Sequence, residues 1–321
     1  MKATFDNKKV FDFFVHKYYG GSVGTIIKGN YSSFHYGAIN ADGGMPSENT
    51  FYSIGSVTKI FTSVLVLLAQ EENLLSINQP VIDFFPNIKG IKRDICIKNL
   101  LNHTSGMKLI YTKEFYLEFY FNYSSAIPKY HFEFVEMDLG NFSYNNLNYH
   151  LLAAILEKLY KQSYHALVIE KIISKHSLSV LPDNVLREQL ALPFYDVNNS
   201  YIEFNPLYYQ FCEAAGCMFS NVSSVAYFIK LLFVEEAIIN RRSIEQMKKI
   251  SPNGYGLGLI SFRNQNADFV GHFGDTIGYT TAAFICEQTG NIFAVLLNNT
   301  NRSALDEILY KQGLLSLMAS A

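Results

Sequence analysis

Phe51-Tyr52-Ser53-Ile54-Gly55-Ser56-Val57-Thr58-Lys59-Ile60-Phe61-Thr62-Ser63 opens a strongly apolar run, residues 57–75, with helical periodicity. Ser56 therefore stands at the front of a helix and Lys59 one turn inside it. A spacing of three puts both side chains on one helix face. A hydroxyl at a helix start lies near unpaired backbone N–H groups, in a field that favours developing negative charge. An amine carried into an apolar interior loses proton affinity and can accept the hydroxyl proton. The same residues also suit a capping serine followed by a snorkelling lysine, and chance supplies about one S-x-x-K in a chain of this size. The motif gains meaning only from what surrounds it.

Upstream, residues 5–18 read as an amphipathic helix ending at Gly20-Gly21. Residues 23–28 and 32–38 read as strands joined through Gly29-Asn30, a hairpin signal. Downstream, Pro80, Pro86 and Gly90 precede a short helix near residues 97–101, and residues 147–160 and 223–233 are amphipathic helices. In the final third, residues 256–262, 269–273, 280–287 and 292–297 read as strands, followed by a closing helix over 303–318. The pattern predicts an α/β (α+β) chain: one antiparallel sheet built from both termini, flanked by helices, with a helical region inserted. Residues 1–58 with 210–321 would form the sheet domain and 59–209 the inserted domain, leaving a cleft at their seam.

Composition excludes several classes. The 321 residues are 49% hydrophobic and 17% charged, which is globular rather than disordered. A formal net charge of −2 supplies no basic field for nucleic acid. No run reaches the roughly 18–20 apolar residues of a transmembrane helix. The start, Met1 to Lys9, lacks the apolar core of a signal peptide, so a cytoplasmic location is expected. Cys96, Cys212, Cys217 and Cys286 form no C-x-x-C pair and have no His-rich companion, so free thiols are expected and no metal site.

Six segments in order, spanning about residues 20 to 300, resemble the serine β-lactamase and penicillin-binding-protein family. This family includes class C β-lactamases, D-alanyl-D-alanine carboxypeptidases, D-aminopeptidases and related esterases. The segment around Ser56 is similar to its nucleophile motif. Leu100-Leu101-Asn102-His103-Thr104-Ser105-Gly106-Met107 resembles a structural segment of the family, which implies a buried, hydrogen-bonding His103 rather than a catalyst. Tyr144-Asn145-Asn146 resembles its Y-x-N element, and Gly271-His272-Phe273-Gly274-Asp275 an H-x-G variant of its lysine-threonine-glycine strand. Ala214-Ala215-Gly216-Cys217-Met218-Phe219-Ser220-Asn221 and Tyr255-Gly256-Leu257-Gly258-Leu259 complete the set.

The resemblance implies Ser56 as nucleophile, Lys59 as proton acceptor and Tyr144 as proton relay. Asn146 would orient Lys59 and hold a substrate carbonyl. His272 would take the lysine position, and Gly274 would admit the substrate to the backbone. The N–H groups of Asp275 and Ser56 would form an oxyanion hole. A neutral His272 holds a carboxylate less well than an ammonium does. The implied activity is acyl-enzyme hydrolysis of an amide, peptide or ester in a small-molecule or peptide substrate, with no metal or organic cofactor. Two alternatives stand beside it: an acyltransferase or thioesterase-like enzyme of a cytoplasmic biosynthetic pathway, and a non-catalytic ligand-binding member of the fold. Residues 111–134, crowded with aromatics, read either as packing of the helical region or as an apolar lid for an acyl or aromatic group.

Overall fold

Lys28 and Gly29, with φ of 51° and 82°, form a two-residue turn between β1 (Gly21–Ile27) and β2 (Asn30–Tyr36). Both central residues have the positive φ that a type I′ hairpin turn requires. The turn lies one residue before the expected Gly29-Asn30, because Asn30 pairs with Ile27 as the first ladder residue. A one-residue slip would send every side chain of the hairpin to the opposite face. The computed structural model describes residues 6–14, 19–87, 91–109, 132–134, 138–181, 189–195, 200–201, 213–216, 218–300 and 302–320.

Four C-terminal strands complete the main sheet: β3 (Ile260–Asn264), β4 (Ala267–Thr276), β5 (Tyr279–Cys286) and β6 (Ile292–Leu297). The order is β3-β4-β5-β6-β1-β2, antiparallel throughout, with Gly21 opposite Leu297 and Ile26 opposite Ile292. The sheet is therefore built from both termini, as expected. β5 and β6 are buried along their whole length, and β6 reads accordingly as a continuous apolar run rather than as alternation.

Each face of the sheet is covered. On one, Val10 of α1 (Asn7–Phe14) and the C-terminal residues Leu305, Ile308, Leu314 and Met318 pack on Phe269, Phe284 and Phe293. On the other lie α2 (Thr58–Glu71), α3 (Ile97–Leu101), α4 (Asn146–Tyr160) and α5 (Val222–Phe233). Phe61 of α2 stacks on Phe228 of α5 with ring centroids 3.7 Å apart.

Two expected elements differ. Residues 256–259 are not strand: the Leu257 and Gly258 N–H groups bond Met247 O and Leu101 O, so the chain is held by helices until Ile260. The closing helix is broken into Arg302–Asp306, a π-helical turn Glu307–Lys311, and Leu314–Ala319, with the last break at Gly313. The aromatic stretch 111–134 lies outside the described residues, apart from the backbone of Phe132–Phe134, which pairs with Met107–Leu109. Cys212 and Cys217 also lie outside them, while Cys96 and Cys286 are free thiols. No helix among the described residues is long and apolar enough to cross a membrane.

Candidate active site

α2 is apolar nearly all round, so its first turn carries Lys59 into the interior, where it has no exposed surface. A buried amine needs partners. Lys59 Nζ donates to Asn146 Oδ1 at 2.8 Å and to the Ala215 carbonyl, and lies 3.1 Å from Ser56 Oγ. Ser56 itself sits, half-buried, on the 3-10 turn Gly55–Val57 that leads into α2.

The third side chain comes from the start of α4. Asn145 caps that helix, its side chain accepting from Leu147 N at 2.9 Å, and this fixes the residues on either side of it. Asn146 thereby reaches Lys59. Tyr144 donates its hydroxyl to Ser56 Oγ at 2.8 Å. Desolvation raises the Tyr144 phenol above its ordinary range; the bond to Ser56 opposes this and the Asp275 charge adds to it. Tyr144 is 44% exposed, so the desolvation acts on its inward hydroxyl end and solvent tempers it. The direction still matters: the group rests as a neutral phenol and donates.

His103 supports this arrangement from behind. It is fully buried, and its Nδ1 accepts from Asn145 N at 3.2 Å and Asn148 Nδ2 at 3.0 Å. Two donors on Nδ1 place the ring proton on Nε2. Burial, then the charge of Lys59, hold the imidazole neutral. The ring pins the start of α4 and packs on Tyr144 with centroids 4.3 Å apart.

Opposite Ser56 runs the free edge of β4. β3 pairs only with Ala267 to Gly271, so residues 272–276 face the Gly55–Val57 turn instead. The two backbones nearly touch. A Cβ on Gly274 would stand 2.2 Å from Ile54 O and 3.0 Å from Ser56 N, and one on Gly55 would stand 2.8 Å from Asp275 N. Thr281 Oγ1 ties the two by donating to Ile54 O at 2.8 Å. The approach brings the backbone nitrogens of Ser56 and Asp275 close together across this seam. Gly274→Ala forces this edge away, and kcat/KM is expected to fall about 10²–10³-fold, as for loss of one oxyanion donor. Steady-state kinetics on an ester, with a melting curve to confirm folding, checks this.

His272 lies on β4 with its ring turned into the protein. It is buried behind the edge, with Nε2 3.0 Å from Tyr255 OH and Nδ1 against the Phe273 carbonyl. The Nδ1–H is thus donated to Phe273 O, and Nε2 accepts from Tyr255. Burial first, then the charge of Lys59, push its pKa down to about 3. Both nitrogens are engaged inside the protein, so His272 offers a substrate carboxylate neither a charge nor a free donor.

Three contributors were not foreseen. Ala215 O, Tyr255 and Arg302 all touch the constellation, the last through an ion pair with Asp275. Ala215 and Tyr255 fall in segments singled out for their resemblance, but without a role. Among the described residues no group of three His, Cys, Asp or Glu is gathered that could hold a metal.

The comparisons agree with this architecture. The family model described as Beta-lactamase matches residues 9–315. The chain is 28% identical over 198 residues to a "Beta-lactamase" of Providencia stuartii, covering 58% of this chain and 48% of that one. The chain thus spans about half the length of that relative. Among solved structures, D-amino acid amidase from Ochrobactrum anthropi SV3 is similar with a TM-score of 0.81 at 18% identity, covering 97% of this chain and 98% of the other. The octameric penicillin-binding protein homologue from Pyrococcus abyssi is similar with a TM-score of 0.77 at 24% identity, covering 97% and 77%.

Proposed function

The chain belongs to the β-lactamase family, and on that premise we propose that it is a serine hydrolase that cleaves an amide or ester bond through an acyl-enzyme on Ser56. The observation that carries the reading is the placement of Ser56 Oγ 3.1 Å from Lys59 Nζ and 2.8 Å from Tyr144 OH. In this reading the helical insertion, residues 59–209, supplies Lys59, Tyr144 and Asn146. The sheet unit, residues 1–58 with 210–321, supplies Ser56 and the β4 edge.

The steps follow from donor directions. In this reading Lys59 acts after losing its proton, when it keeps N–H bonds to Asn146 and Ala215 and turns its lone pair to Ser56. That lone pair takes the Ser56 proton as Oγ attacks the substrate carbonyl. The oxyanion accepts from the Ser56 and Asp275 N–H groups. Collapse expels the leaving group, which takes a proton from Tyr144 while Tyr144 recovers one from the Lys59 ammonium. Water then attacks the acyl-enzyme by the reverse path: its proton passes to Lys59, and Ser56 leaves reprotonated. Asn146 keeps its amide hydrogens for a substrate carbonyl.

The similarity to D-amino acid amidase favours small amides as substrates. The internal engagement of His272 favours those without a carboxylate at the reacting end. Mixing the protein with a fluorophosphonate and with short aryl esters is expected to add one phosphonyl or acyl mass to Ser56, and Ser56→Ala is expected to add none. An unlabelled parent protein would favour the silent-binder reading. Faster product formation on adding amine nucleophiles would favour an acyltransferase.

A further inference from the structure

Asn146 and Tyr149 stand one turn apart on α4, so their side chains leave the helix on the same face. Asn146 uses that face to bond Lys59, and the Tyr149 ring meets the same amine. Lys59 Nζ lies over that ring, 5.3 Å from its centroid. Tyr144 presents a second ring, 4.8 Å from Nζ. Tyr144 is already engaged at Ser56, but Tyr149 has no part in the steps above. It is fully buried, as Lys59 is. Its hydroxyl donates to the Leu101 carbonyl at 2.9 Å and lies 3.3 Å from Ser63 Oγ, which fixes the orientation of the ring.

A cation over an aromatic face is attracted by the ring quadrupole, most strongly where water is excluded. Proton transfer from Ser56 to Lys59 creates such a cation at a site with no exposed surface. The histidines that feel the Lys59 charge, His103, His150 and His272, are held neutral by burial first and by that charge second. They supply no countercharge. We propose that Tyr149 is a positioning residue for the reaction, its ring face holding the Lys59 ammonium that forms when Ser56 gives up its proton. This rests on the serine-hydrolase reading above and deepens it by naming a group that makes the buried amine a competent base. The Ser56 O–H bond breaks, an N–H bond forms at Lys59, and the ring itself exchanges nothing.

The test is the pH profile of kcat/KM on a phenyl ester, with a melting curve to confirm that each variant is folded. Tyr149→Phe is the reference, because it keeps the ring face and leaves the Leu101 carbonyl its bond from Gly258 N. It is expected to keep the acid limb of the parent. A ring-trifluorinated phenylalanine in place of Tyr149 has nearly the same shape but little quadrupole. It is expected to lower the plateau roughly three- to tenfold relative to Tyr149→Phe and to move the acid limb down by about one pH unit. Tyr149→Leu is expected to move the limb in the same direction. Equal profiles for the plain and fluorinated rings, or a lower plateau with an unmoved limb, overturn the role of Tyr149 while leaving the hydrolase intact. Absence of Ser56-dependent turnover in the parent overturns the hydrolase reading itself, and the role of Tyr149 with it.

Discussion

Lys59→Arg lowers kcat/KM on an ester substrate by about 10³–10⁴-fold, as far as Lys59→Met does. The comparison separates two roles that a buried cation beside a serine can play. If Lys59 only stabilised negative charge, arginine would keep most of the rate, because a guanidinium stays protonated under all working conditions. If Lys59 takes the Ser56 proton, arginine is as useless as methionine. The geometry favours proton transfer, because Nζ is turned toward Ser56 Oγ at 3.1 Å while it donates to Asn146 and Ala215. The measurement is the acylation rate from a stopped-flow burst of aryl leaving group, with a thermal melt on each variant because Lys59 is fully buried. Retention of most of the acylation rate by Lys59→Arg alone would remove the base assignment and leave an electrostatic one.

What the sequence made legible was whatever depends on local spacing. Ser56 and Lys59 could be placed on one helix face because α2 is apolar almost throughout, and its burial follows from that composition. Tyr144 and Asn146 could be placed through the resemblance of their segment to the family's Y-x-N element, and in the fold the Asn145 cap holds both at a helix start. β6 and α3 fell at the expected residues, since Ile292–Leu297 and Ile97–Leu101 are apolar stretches with sharp ends. What stayed hidden depends on partners far along the chain. The Ala215 carbonyl is a backbone group and carries no side-chain signature. The Arg302–Asp275 pair spans 27 residues and exists only because the end of β4 meets the C-terminal helices. The saturation of His272 depends on Tyr255 being delivered by a segment that is loop and not the expected strand. The resemblance implied a binding histidine at 272, and in the fold its two nitrogens meet Tyr255 and the Phe273 carbonyl.

Acidification from pH 7 to 5 is expected to lower the protein's folding stability by several kcal/mol, and the cause is three histidines rather than the carboxylates. His103, His150 and His272 are all buried, and burial is the first cause of the lowered pKa of each. For His150 and His272 the value is about 3. In the unfolded chain each titrates near 6.5. Between those values the unfolded state binds protons that the native state refuses, so stability falls as pH falls. His150 and His272, shifted that far, each contribute about 2 kcal/mol of this loss between pH 7 and 5, about 4 kcal/mol together, and His103 acts in the same direction, against a typical total of roughly 5–15 kcal/mol. The local bonds agree with the sign: protonating His103 at Nδ1 displaces the N–H groups of Asn145 and Asn148, and protonating His272 at Nε2 displaces the Tyr255 hydroxyl. Carboxylates take over only at lower pH, because Glu48, Glu72 and Glu307 have pKa values below the ordinary 4.5 and keep their charge through this window. Urea denaturation at pH 7, 6 and 5 measures the slope, and His150→Gln, remote from Ser56 chemistry, reduces the loss by about one proton's worth, near 1.4 kcal/mol per pH unit. A midpoint that holds steady from pH 7 to 5 would show that these rings accept protons in the native state, and their buried neutral form would have to be abandoned.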